Sequence, residues 1–549
     1  MKKLLAYCIF ALVALSVTTS CKKYLDINSD PDTPQYPDAS SVFPTQLSAI
    51  PRGLQFDGRY ASRYTQNFLS ATNVAGNLNF DRMGYTAGSD VNGDIWRQVY
   101  FGLGKNLDYI IDEGKRKMQW DYVGAAYALK ALMFQYGTDY HGEIVFRDAF
   151  KENQVFFRYD EQEIVYKGID SLCHEALNYL SRTDGSTNVT KLAKGDFVYG
   201  GNTELWTKLT NGILARNFHR FTNKSIYNAD SVIYYADRAM ATVNEDFVIP
   251  FDASKNDDSN FFGTYRDNLT LFRQSNFIVK LLDGTTLTGV PATAATAANR
   301  DPRLRHMLSA SQDTTNGNGG YRGIEPGGFD PAVAPSRARV AVLWADSFYV
   351  NPSSAVFSSL YKKYLFGDKT VFPIMTASEI QFIKAEAILR KGDQAAALAA
   401  YTKGINLHFD FINRSTFPRN NNTIFNGSPI TLAERNKYLN SDNVKRTAST
   451  LTLSDIMLQK YIALWGWGFF ETFVDLRRYH YTDLDPATGA QVYRNFVLPN
   501  PLATENLGKP VYRVRPRFNS EYVWNRDELL RIGALNIDYH TYEPWFSQP

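Results

Sequence analysis

Apolar residues return every three or four positions through several stretches of the chain, the spacing of helices that bury one face. Residues 95–114, IWRQVYFGLGKNLDYIIDEG, set Trp96, Tyr100, Leu103, Leu107 and Ile110 on one stripe. That stripe predicts a helix with Trp96 in its core face. Residues 121–136 repeat the habit with Ala125, Leu129 and Leu132, and Gly137 reads as the stop. A third helix is expected over 161–180, with Ile164, Ile169, Leu172, Ala176 and Leu180 inward. Its Cys173 and His174 read as ordinary helix positions. LWTKLTNGILARNFHRF and ADSVIYYADRAM predict a fourth and a fifth.

Residues 376–409 carry the clearest local signal. Ser378 is expected to cap a helix, with Gln381 reaching back to complete a capping box. Ile380, Ile383, Ala387 and Ile388 form its inner face, and Gly392 ends it because glycine enters the left-handed cap freely. Asp393 then caps a second helix with Leu398, Tyr401 and Ile405 inward. So short a turn forces the two helices to pack antiparallel, as in a tetratricopeptide-type hairpin.

Elsewhere the periodicity lapses. Met1-Lys2-Lys3, an apolar run from Leu4 to Val17 and the small residues Thr18, Thr19 and Ser20 describe a secretory leader over residues 1–20. Cys21 follows directly, so a bacterial lipoprotein signal is expected, with Cys21 lipidated; Thr18 stands where a leucine is usual. A plain secreted protein is the alternative. Residues 22–45, rich in proline and aspartate, read as an extended arm. Two long loop regions, 70–94 and 283–356, mix glycine and asparagine with isolated aromatics. Loops of that length in a compact protein are disordered or functional. The remainder, 21–549, reads as one domain.

Composition narrows the function class. Past the leader no apolar run is long enough to cross a bilayer. The chain has 59 Lys and Arg against 56 Asp and Glu, and loss of Lys2 and Lys3 with the leader brings it close to neutrality. Near-neutrality without a basic stripe excludes nucleic acid as the expected partner. Three cysteines, one in the leader and one at its end, leave Cys173 with no intramolecular partner. Aromatic residues make up 14% of the chain, which suits both helix cores and exposed platforms for flat ligands.

No nucleotide-binding glycine loop occurs, since Val99 stands where VYFGLGKN would need its first glycine. No His-Glu-x-x-His pair occurs, and no metal or cofactor is expected. Ser359-Leu360-Tyr361-Lys362 and Ser441-Asp442-Asn443 fit two of three elements of the penicillin-binding signature, but Lys-Thr-Gly is missing, so catalysis is not expected. Binding needs less. An aromatic ring covers the C–H face of a sugar while amide, carboxylate and guanidinium groups bond its hydroxyl rim. The first loop region offers Asn77, Asn79, Asp81, Arg82 and Tyr85 for this, and the second Tyr321, Arg322, Phe329, Trp344, Asp346 and Tyr349. Trp344, beside Val342 and Leu343, is also placed to lie on a strand facing the core.

Several segments in order resemble one family: the leader cysteine with KKYLDINSDPD, WRQVYFGLGKNLDYII, FVYGGNTELWTKLTNGILARNFHRF, FPIMTASEIQFIKAEAILRKGD, IMLQKYIALWGWGFFETFVDLRRY and RPRFNSEYVWN. Together they resemble the SusD/RagB nutrient-binding outer-membrane lipoproteins of Bacteroidota over essentially the whole length. Phe473 replaces a frequent tryptophan, and RPRFNSE lacks the family's proline pair. The resemblance implies a mainly α SusD-like fold, with tetratricopeptide-type pairs as scaffold and a loop-rich ligand side. It also implies a lipid-anchored, surface-exposed binder without catalytic activity. Such a binder delivers oligosaccharide, or peptide in the RagB branch, to a SusC-like TonB-dependent transporter.

Overall fold

The computed structural model describes residues 36–72, 79–297, 300–333, 336–344, 364–414 and 429–549. The leader, Cys21, Asn77, Asp346, Tyr349, Ser359 and Lys362 lie outside the described residues. The fold is mainly helical. The first helix among the described residues, α1 (Ala39–Tyr64), starts inside the stretch expected to be an extended arm and carries Pro44 and Pro51 within it. Its stripe is disguised because it buries polar side chains such as Gln55, Asp57 and Arg63 alongside Phe43, Leu47 and Ile50. Gln55, Asp57 and Arg63 each bond a residue beyond the helix, as where the Gln55 amide donates to Asn260 Oδ1 at 2.6 Å.

The WRQVYFGLG segment forms α2 (Asp94–Arg97), a π-helical stretch Gln98–Gly104 and α3 (Lys105–Lys117) without a break. Then come α4 (Trp120–His141), α5 (Gln162–Leu180), α6 (Thr203–His219) and α7 (Ala229–Ala236). Consecutive members of the series α3 to α7 pack on one another. On α5 the buried stripe runs through Val165, Tyr166, Ile169, Cys173, Ala176 and Leu180, so Ile164 and Leu172 sit at its edge and not at its centre.

After the short α8 (Asn276–Leu282), the hairpin forms as α9 (Ala377–Arg390) and α10 (Gln394–Ile412). Gly392 takes φ +88 between them, and the Asp393 side chain accepts from the Ala396 N–H. The cap of α9 is a correction: Thr376 accepts from the Glu379 N–H, while the Ser378 hydroxyl donates to the Gly404 carbonyl on α10 at 2.8 Å. Ser378 is thus spent on joining the two helices. The chain continues with α11 (Leu453–Leu464), α12 (Phe469–Arg478) and α13 (Arg526–Arg531). Strand content among the described residues is two antiparallel pairs. β1 (Phe68–Ser70) pairs with β3 (Phe272–Gln274), and β2 (Phe247–Pro250) with β4 (Val371–Met375).

One apolar cluster runs through most of these elements, and a chain of buried charges threads it. Arg216 on α6 meets Glu379 on α9, and Arg220 bonds both Asp139 of α4 and Glu471 of α12. Lys460 on α11 lies 2.7 Å from Asp475, and Arg478 lies 2.8 Å from Glu386. Five helices are joined by groups that cannot be left unpaired away from water. Phe473 packs inside, with the Arg477 guanidinium 3.7 Å from its ring centroid, so an aromatic ring is retained at that position. No described helix is long and apolar enough to cross a membrane.

Candidate functional site

Three segments far apart in sequence meet at an open groove of about 640 Å3. Its floor comes from Trp96 and Tyr100 on α2 and the π-helical stretch. One wall comes from the loop after α4, with Phe150, Val155 and Phe157; the other comes from Arg517, Glu521, Trp524 and Asn525. The volume is that of a small-molecule or oligomer cleft, and its lining is predominantly apolar with a few polar groups.

The local sequence explains the shape. The N-terminus of α2 has Gly93 as its cap, which offers no side chain, so the buried Asp57 carboxyl group of α1 accepts from the Ile95 N–H at 2.7 Å instead. This fixes the turn that carries Trp96. The wider π turn follows, and π segments concentrate at functional sites. Gly104 ends it where a Cβ would collide with the Phe150 ring and the Val99 carbonyl. Glycine there lets Phe150 lie against the helix and form the wall.

Ring exposure grades from floor to rim. Trp96 is buried and meets Tyr100, Tyr159 and His141 at centroid distances of 5.1, 5.5 and 5.2 Å. Phe101 and Trp524 are 74% and 80% exposed, and Phe156 is 48% exposed beside Val155. Large rings left this open make an exposed apolar surface of the kind that marks interaction sites.

The polar groups beneath are set by burial. The Tyr100 hydroxyl donates to the Val145 carbonyl and the Tyr159 hydroxyl to Glu521 Oε2, each at 2.7 Å. Burial pushes both phenols well above their usual range, and Glu521 adds to the effect, so both stay neutral donors. Burial likewise pushes the His141 imidazole down to about 4, against the Val514 carbonyl that accepts from it, so the floor carries no charge there at neutral pH. Asn525 donates to the Phe157 carbonyl at 2.8 Å, while its buried Oδ1 has no partner among the described residues. At the rim, Arg97 lies 3.7 Å from Asp94 and Arg517 lies 2.7 Å from Asp90.

Arg517 also lines a smaller cleft of about 200 Å3 formed by residues 85–93 against Arg515, Tyr522 and His540. Here the first loop region contributes. Tyr85 sits beneath the Arg515 guanidinium at 4.6 Å and edge-on to His540 at 4.8 Å. Asn79 holds this loop by donating to the Tyr85 carbonyl at 3.1 Å and to Glu505 at 3.3 Å. Arg82 is half-buried, its carbonyl accepting from the Ala503 N–H. Asp81 is a correction to the expected ligand set: it is buried, lies 2.5 Å from Arg63 and accepts from the Ser70 N–H, so it fixes β1. Trp344 is another, buried with its indole donating to the Phe262 carbonyl at 2.7 Å. Phe329 is half-exposed on a separate loop, and Tyr321 and Arg322 line a third cavity away from the rings. Tyr321 is itself almost wholly buried, a structural ring more than a platform.

The rings that make the groove were not anticipated. Phe101 lies off the buried stripe of its helix, and Phe157 and Trp524 sit in the QVFFR and EYVWN runs. An aromatic residue on the polar side of a helix was the available signal. Ser441 and Asn443, the serine-signature fragment, bond within their own turn. Among the described residues no cluster of three His, Cys, Asp or Glu could hold a metal ion.

A SusD-like family model, described as "Starch-binding associating with outer membrane", matches residues 38–500. The chain belongs to the SusD-like family. Solved structures share the SusD-like fold. A chitin-binding protein matches with 18% identity, 93% of this chain, 100% of that one and a TM-score of 0.69. A SusD/RagB family protein from Bacteroides thetaiotaomicron VPI-5482 matches with 21% identity, 93% and 99% coverage and a TM-score of 0.67. A chitin-binding SusD homolog from Flavobacterium johnsoniae gives 18%, 93%, 98% and 0.62. No curated protein matches this SusD-like chain.

Proposed function

We propose that this SusD-like protein is a non-catalytic, lipid-anchored glycan binder that captures oligosaccharide at the outer-membrane surface and delivers it to a SusC-like TonB-dependent transporter. The observation that carries the reading is the pair of solvent-facing rings, Phe101 and Trp524, at the mouth of an aromatic groove. A pyranose presents an apolar C–H face that such rings cover, and its hydroxyls find Arg97 and Arg517 at the edges. Binding of this kind uses no nucleophile, metal or displaced proton. The family's description as starch-binding and outer-membrane-associating supports it, as do two similar structures of proteins described as chitin-binding. Cys21 supplies the anchor in this reading, and Tyr85 extends the surface through the adjoining cleft.

Calorimetry against oligosaccharides of starch, chitin, xylan and pectin, with peptides as the contrasting ligand, tests the proposal. Binding of at least one glycan series and no peptide is the expected result. Peptide binding with silence across the glycans transfers the protein to the peptide-capturing branch. Co-purification with a barrel partner tests delivery, and fatty-acid labelling tests Cys21.

A further inference from the structure

The aromatic groove is lined by three charged residues, Arg97, Arg517 and Glu521. Both arginines already have an acid beside them. Arg517 lies 2.7 Å from Asp90, and Arg97 is held between Asp94, at 3.7 Å, and the Phe101 ring, whose centroid is 5.5 Å away. Glu521, on the short π-helical turn Phe518–Tyr522, has no such partner. Its bonds come from neutral donors, the Tyr159 hydroxyl at 2.7 Å and the Asn525 amide at 3.2 Å, and both fall on Oε2. Among the described residues no lysine, arginine or histidine forms an ion pair with it. Oε1 is left open on a side chain that is only partly buried.

The lining groups and their ion-pair partners thus comprise three acids, Asp90, Asp94 and Glu521, against two bases, Arg97 and Arg517. Cations behind the wall do not redress this. Lys130, under the Phe150 ring, bonds Asp108, and Arg158, next to Phe157, acts on Glu528. The Glu521 field reaches the floor, since burial first and this carboxylate second raise the Tyr100 and Tyr159 phenols. Apolar walls focus such a field into the cleft. A sugar bearing a carboxylate or sulfate, stacked on these rings, would bring like charge beside it, and like charges juxtaposed at an interface are costly. An uncharged sugar meets no such cost, and its hydroxyls bond an ionised acceptor more strongly than a neutral one.

We propose that the groove selects uncharged glycans and that Glu521 is the residue that sets this preference, turning away sugars that carry carboxylate or sulfate. The proposal rests on the glycan-binding reading above and adds a charge rule to it. Calorimetric titration of maltohexaose, cellohexaose and chitohexaose, each before and after oxidation of its C6 hydroxyls to carboxylates, into wild type and Glu521→Gln tests it, in low salt and in about 0.5 M NaCl. At least one neutral hexasaccharide is expected to bind wild type in low salt, with its oxidised form weaker by about tenfold or more. Glu521→Gln is expected to weaken the neutral ligand by about threefold, through loss of the ionised acceptor, and to shrink the gap to about threefold or less. High salt is expected to shrink the wild-type gap in the same direction, because the groove is open to solvent. An oxidised form that binds wild type as tightly as its parent, or more tightly, overturns the charge rule and leaves the glycan reading standing. A gap that survives Glu521→Gln or high salt unchanged overturns it too, since the exclusion is then steric or set elsewhere. Should Glu521→Gln fail to fold, the wild-type salt series decides alone. Silence from every hexasaccharide also overturns it, while a peptide bound in their place overturns the glycan reading itself.

Discussion

Arg216 and Glu379, 163 residues apart in sequence, face each other as a fully buried two-pronged ion pair, with Nε–Oε1 at 2.5 Å and Nη2–Oε2 at 2.6 Å. The pair joins the middle helices to the tetratricopeptide-type hairpin. Removing one partner strands a charge in the core, which costs about 3–5 kcal/mol. Glu379→Gln is therefore expected to lower the urea midpoint sharply. Arg216→Met combined with Glu379→Leu is expected to cost far less than the two single changes together, because no charge is left behind. Chemical denaturation of the four proteins measures both.

Asp57 gives a pH signature. Burial pushes its carboxyl up to about 8, with the Ile95 N–H pulling the other way. Its folded value lies above the ordinary carboxylate value, so the unfolded chain releases this proton first as pH rises. The stability it contributes is full below about 4 and is lost progressively as pH climbs towards 8. Asp57→Asn keeps the acceptor for Ile95 without the titration. The variant is expected to match wild type near pH 4, to gain on it progressively as pH rises, and to level off above about pH 8. Thermal unfolding across the range checks the sign.

Gly104 tests how the groove wall is held. A methyl group there meets the Phe150 ring on one side and the Val99 carbonyl on the other, and the carbonyl cannot swing away. Gly104→Ala is expected to cost about 1–3 kcal/mol, the usual cost of overpacking. It is also expected to weaken glycan binding, because Phe150 must leave its place. Unchanged stability and affinity would show that the wall is not built on this contact.

The helical scaffold was legible because its signals are local. Gly392 and Asp393 mark the hairpin turn by backbone chemistry that needs no neighbours. Trp96, Leu103, Leu107 and Ile110 are buried where the stripe places them. α1 was not legible, since Gln55, Asp57 and Arg63 break its apolar face and their partners Asn260, Ile95 and Asp81 lie beyond it in sequence. The groove was illegible for a related reason. It unites residues 96–101, 145–157 and 517–525, and exposed rings have no period that a buried face imposes. Loop composition led to Tyr85, which borders the site, and equally to Asp81 and Trp344, whose polar atoms are held by buried main-chain or charged partners.

The central claim is that Phe101 and Trp524 grip sugar by stacking. Its most direct test is calorimetric titration of the best oligosaccharide from the panel into wild type, Phe101→Ala, Trp524→Ala and the double variant. Loss of one such ring contact is expected to cost about 1–2 kcal/mol, or roughly tenfold in affinity, with the double variant near the limit of detection and its melting temperature unchanged. Wild-type affinity in the double variant would contradict the account.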